Sequence, residues 1–96
     1  METEYLIAVA EFCASHKIEI SFIISLQRNG LIVIKTIHDA AFIDVEQLPQ
    51  LEKFVRFYYE LDINLEGIET ITHLLNRINT LHDEIADLRN KLRFYE

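Results

Sequence analysis

Four histidines and one cysteine are the residues of this chain best suited to hold a metal or act as a nucleophile. Cys13 and His16 lie three apart on a segment that reads as helix, but no second pair with zinc-type spacing exists. His38, His73 and His82 are scattered, so the ligand set does not close and no metal is expected. Cys13 reads as a small buried residue rather than a nucleophile. Two glycines cannot build a phosphate-cradling loop. Carboxylates are plentiful, yet nothing in their pattern suggests a concave pocket that would raise a pKa. The expectation is a protein without catalysis or cofactor.

Recognition remains, and the charge indicates of what. The chain has 96 residues, 50% of them hydrophobic, with two glycines and one proline, which describes one ordered domain too short for two cores. So small a fold buries a modest share of its surface, which makes self-association a reasonable expectation. Sixteen acidic residues against nine basic ones give a net charge of −7. That balance repels phosphate backbones and suits a basic protein partner. The acids fall into two groups: Glu2, Glu4, Glu11 and Glu19, then Glu46, Glu52, Glu60, Asp62, Glu66 and Glu69. For any one of them a solvated surface role is the ordinary case. Glu60, Asp62, Glu66 and Glu69 crowd one helix junction with only distant compensation, and form the expected partner-binding patch. A single cysteine, an acidic N-terminus and no apolar run near the roughly 20 residues of a membrane span point to a cytoplasmic protein.

The clearest element is the last. With Ile71 at heptad position a, the a positions are Ile71, Ile78, Ile85 and Leu92 and the d positions Leu74, Leu81, Leu88 and Tyr95. This is the repeat of a coiled-coil seam, on a helix of residues 64–96 with Asn64 as N-cap. A helix so long outruns a small core, so a homodimer through these eight residues is expected, with the first part of the stripe (Ile71, Leu74, Leu75, Ile78) packing partly on its own protomer. In a parallel pair Glu84 would meet Arg89 and Lys91 would meet Glu96; an antiparallel pair centred near Glu84 would set like charges together. The direction stays open.

Upstream, Leu48, Leu51, Val55, Tyr58 and Leu61 recur at helical spacing, predicting a helix from about Val45 to Glu60 that opens on an Asp44/Gln47 capping box. Residues 18–27 alternate, Ile18, Ile20, Phe22, Ile24 and Leu26 against Glu19, Ser21, Ser25 and Gln27 with only Ile23 breaking the pattern, and Asn29-Gly30 precedes Leu31–Ile34. Alone, that pattern slightly favours a β-hairpin. A helix stopped by Gly30 fits as well. A turn at His38-Asp39 suggests a small hairpin further on.

Taken in order, Val9-Ala10-Glu11-Phe12-Cys13 before Ile18, Leu26 to Leu31 with Gly30, Phe42-Ile43-Asp44 and the run 60–68 before the long helix resemble the CbpM type of chaperone modulator, whose fold is similar to the MerR-like winged helix-turn-helix. The resemblance spans nearly the whole chain. It implies a mainly α fold with a small β wing: a winged helix-turn-helix over residues 1–63, with helices at 11–16 and 19–28 and a wing at 31–43, followed by a dimerisation helix over 64–96 in one compact unit. The helical reading of 19–28 is adopted on that ground, since burial overrides β-propensity. It further implies binding to the J-domain of a DnaJ-like co-chaperone and inhibition of its stimulation of Hsp70. J-domains present a helix rich in Lys and Arg, which an acidic surface complements.

A MerR-like fold also suggests a DNA-binding transcription regulator. Reading the major groove takes Arg, Lys, Asn or Gln on the recognition helix. Residues 19–28 carry one cation, Arg28, and an acid, Glu19; MerR-type regulators have arginines where this chain has Ser21 and Ile24. The wing offers Lys35 and His38. The expectation is against nucleic acid. The apolar side of the helix is either core or a partner groove. A dimerising scaffold for some other protein is the third reading.

Overall fold

A computed structural model describes residues 5–95. Glu2, Glu4 and Glu96 lie outside the described residues, and with them the Lys91–Glu96 pairing. Strand β1 (Leu6–Ala8) leads directly into helix α1 (Val9–His16), followed by α2 (Ile20–Arg28), β2 (Lys35–Ile37) and β3 (Ala40–Asp44). A 3-10 turn (Val45–Gln47), α3 (Leu48–Val55) and a π-helical turn (Arg56–Glu60) lead to the long α4 (Leu65–Arg93). The fold is mainly α with a small β wing: a winged helix-turn-helix continued by one long helix.

Segment 20–28 is helical because its side chains are sorted by a helical period in three dimensions. Phe22, Ile23 and Leu26 enter the core, while Ile20, Ser21 and Ile24 face out. A strand would have placed Phe22 and Ile23 on opposite faces. Gly30, at φ +73°, closes the helix: its N–H donates to the Gln27 carbonyl at 3.0 Å, and the Leu31 N–H donates to the Leu26 carbonyl at 2.9 Å. This is a Schellman motif, which needs the left-handed residue that glycine supplies most cheaply. The hairpin that local alternation favours around Asn29-Gly30 does not form, and Leu31–Ile34 is not strand.

The wing hairpin lies slightly later than the implied 31–43. β2 and β3 pair antiparallel, Ile37 opposite Ala40, around a two-residue turn at His38 and Asp39. Both have positive φ (48° and 64°), the backbone of the mirror-image turn that matches strand twist. β1, which nothing in the sequence pattern announces, pairs antiparallel with β3, Ile7 opposite Ile43, so the sheet order is β1-β3-β2. Central β3 supplies the fully buried Ile43.

The expected single helix from Val45 to Glu60 is three pieces. Asp44 does cap, accepting from the Glu46 N–H at 3.0 Å. Gln47 does not close the capping box. Its Oε1 accepts from the Val33 N–H and its Nε2 donates to the Val33 carbonyl, both at 2.8 Å, as a neighbouring strand would. Beyond Val55 the chain widens to i→i+5 bonding, with the Leu61 N–H donating to the Arg56 carbonyl at 3.1 Å. The wider turn changes the helical phase. Phe54, still on α3, is buried one turn after Leu51; past the wider turn Phe57 packs against the core, while Leu61, expected on the apolar face, is exposed.

The core joins Val9, Phe12 and Cys13 of α1, the three α2 residues, Ile32, Ile43, Leu51 and Phe54 of α3 and Ile68 of α4. Burial pushes the Cys13 thiol up, which keeps it protonated and inert near neutral pH.

Candidate protein-docking surfaces

Helix α4 enters the core only at its start. Asn64 caps it, its Oδ1 accepting from the Gly67 N–H at 2.8 Å. Gly67 fits because a Cβ there would lie 2.7 Å from the Ile63 side chain and 3.2 Å from the capping oxygen. Ile68 is buried, Ile71 and Thr72 are half-buried, and every described residue from His73 onward is exposed. Leu74, Ile78, Leu81, Ile85, Leu88 and Leu92 are 46–62% exposed, and Tyr95 is more so. Of the stripe expected to fold back on its own protomer, only Ile71 is half-buried; Leu74, Leu75 and Ile78 are exposed. The 29 residues of α4 extend about 44 Å at 1.5 Å per residue, which takes them past the winged unit.

The expected acidic patch is spread over the junction before α4. Glu60 ends the π-helical turn, Asp62 lies in the link, and Glu66 and Glu69 lie in the first turns of α4. Glu60, Asp62 and Glu66 are exposed and Glu69 is half-buried. Asp62 has φ +55°, a left-handed conformation that Asp tolerates better than most residues. Compensation is closer than expected: Arg56 Nε stands 3.8 Å from a Glu60 carboxylate oxygen. Both side chains are well exposed, so the pair is weak. Of the N-terminal acids within the described residues, Glu11 and Glu19 are exposed, on α1 and at the N-cap of α2.

The outer side of α2 presents Ile20 and Ile24, 48% and 39% exposed. Its polar groups are already engaged. Ser21 Oγ donates to a Glu19 carboxylate oxygen at 3.2 Å, Ser25 Oγ donates to the Ser21 carbonyl at 2.9 Å, and Asn29 Nδ2 donates to the Ser25 carbonyl at 2.9 Å. Gln27 and Arg28 remain at its C-terminal end. On the wing, Lys35 Nζ lies 4.0 Å from Asp44. The helix that would enter a major groove therefore shows isoleucines, and the wing's lysine sits beside a carboxylate.

Cys13 and His16 do not share a site. Cys13 is core; His16 stacks on Phe12 with ring centroids 4.0 Å apart and stands 3.7 Å from Glu52 of α3. Among the described residues no three His, Cys, Asp or Glu side chains converge as a metal would require, and no helix is long and apolar enough to cross a membrane.

One feature of the surface was not legible as such. Tyr58 and Tyr59, on the π-helical turn, are 38% and 39% exposed and line two adjoining hollows. Tyr58 had the spacing of a core position; the consecutive aromatics Phe57-Tyr58-Tyr59 were the available signal.

Fold and surface together define a winged helix-turn-helix protein with a protruding helix and an acidic junction. A family of this class matches residues 7–90, described as MerR HTH family regulatory protein, and the chain belongs to it. No curated protein and no solved structure matched the chain significantly.

Proposed function

We propose that this protein is a non-catalytic modulator that binds a basic protein surface, the J-domain of a DnaJ-like co-chaperone, and so blocks stimulation of Hsp70. The observation carrying this reading is the outer side of α2. Where a DNA reader needs free donors, it offers Ile20 and Ile24, and its serines donate to Glu19 and to its own backbone. An exposed apolar strip with carboxylates nearby suits a protein interface with a basic partner. The net charge of −7 works in the same direction.

The reading includes a homodimer joined through Ile71, Leu74, Ile78, Leu81, Ile85, Leu88, Leu92 and Tyr95. An isolated helix with this much exposed aliphatic surface is marginal in water, and a second copy supplies the missing cover.

The test measures binding of a J-domain and inhibition of J-domain-stimulated Hsp70 ATPase. Glu60→Lys, Glu66→Lys and Glu69→Lys are combined with Asp62→Asn, because Asn suits a positive φ better than Lys does. The expected result is at least about a tenfold loss of affinity, steeper at low salt. Unchanged affinity removes the patch; absence of J-domain binding in the unaltered protein removes the reading. The competing role, DNA-bound regulation, fits the family equally. It would be established by duplex binding that falls steeply as salt rises.

A further inference from the structure

We propose that the hollow beside Tyr58 and Tyr59 is a receptor for one lysine or arginine side chain of the partner protein. The proposal rests on the reading above that the partner is basic, and adds the place where one of its cations is held. The rings are fixed before anything binds. Phe22 lies under both, with centroids 4.5 Å from Tyr58 and 5.4 Å from Tyr59, and the two tyrosines meet edge to face at 5.0 Å. The Tyr59 hydroxyl accepts from the Glu19 N–H at 3.2 Å, which ties the ring to the start of α2. Prepositioned rings with exposed area cost little ordering entropy on binding.

The surroundings select the ligand. A hollow of about 390 Å³ is lined by Tyr58, Tyr59, Asp62, Ile63 and Asn64. A smaller one of about 130 Å³, lined by the same two rings, carries Glu19 with Ser21 and Ser25. Each has aromatic surface and one carboxylate, and neither is lined by Lys, Arg or His. The groove of about 450 Å³ beside His16 is the contrast: Lys53 and Arg56 there offset Glu52 and Glu60. An aromatic face next to an unneutralised carboxylate attracts a cation twice, through the ring quadrupole and through charge. A nucleobase could stack on the same rings, but its phosphates would meet Asp62 or Glu19.

The experiment follows the tyrosine ring resonances of the full chain by NMR while two probes are added. One is an amphipathic peptide rich in Lys and Arg; the other is the same peptide with Gln at every cationic position. The basic peptide should shift Tyr58 and Tyr59, and the Gln peptide should not. Tyr58→Leu, Tyr59→Leu and Asp62→Asn should each weaken the basic peptide roughly fivefold, while Tyr58→Phe stays within about twofold. Equal shifts from both peptides, stronger shifts from a single-stranded oligonucleotide, or undiminished affinity in the folded Leu variants would overturn the proposal. If a Leu variant does not fold, the shifts in the unaltered chain and the Asp62→Asn titration decide. A J-domain that binds without moving these resonances removes the receptor and leaves the modulator reading standing. A J-domain that fails to bind while the basic peptide shifts the rings does the reverse.

Discussion

Ile43 and Ile85 are the same side chain in opposite circumstances. Ile43, in the middle strand of the wing, is fully buried, with Phe54 and Ile68 in the same cluster; Ile85, halfway along α4, is 46% exposed. The winged unit closes its own core with side chains from α1, α2, β3, α3 and the start of α4. The distal part of α4 closes nothing, because the sequence places a continuous seam on a helix that has left the core by Thr72. The winged unit is thus stabilised within one chain. In the homodimer proposed above, the stability of the tail depends on the second copy that covers it, and therefore on concentration.

The largest effect that can separate the two regions is Phe54→Ala. Removing a ring that is 1% exposed should cost about 3–5 kcal/mol and lower the melting temperature of the winged unit markedly. An unchanged thermal transition would mean that this core does not hold the unit together. Next comes Ile85→Asp, which should leave the fold of the winged unit intact. It should weaken self-association by about 2 kcal/mol or more per protomer, as the lost burial of a seam side chain requires. Sedimentation would show a shift to monomer; unaltered association would place the interface elsewhere. Gln47→Ala removes both bonds to Val33 and should cost about 1 kcal/mol, with faster amide exchange at Val33 and no change in association. The smallest change is stabilising. Lys17 closes α1 at φ +56°, so Lys17→Gly should gain about 0.5–1 kcal/mol in chemical denaturation, through the winged unit alone.

Local patterns were legible where a single period operated over enough residues or where a residue type matched a rare backbone. The α4 seam was readable because almost four heptads run without Gly or Pro. The turn at His38-Asp39 was readable because these residues tolerate positive φ. Segment 20–28 satisfied two periods at once, and the family resemblance chose correctly where alternation alone leaned the other way. Gln47 had the position of a capping-box residue, yet the Val33 backbone, fourteen residues away in sequence, claimed it. For the surface, the acids around 60–69 could be listed from their spacing, but the exposed faces of Tyr58 and Tyr59 could not. Those faces lie on the π-helical turn itself, whose wider spacing shifts the helical phase.

The amino-acid order by itself determined a long amphipathic helix, a surplus of carboxylates and a segment 19–28 nearly devoid of cations, because composition and helical period are properties of contiguous residues. The tertiary structure decided that 20–28 is helix, that Leu6–Ala8 pairs with β3, and that two tyrosines face solvent beside Asp62. Each of these turns on contacts between residues far apart in the chain, whose burial outweighs local preference by more than the differences in propensity that a sequence displays.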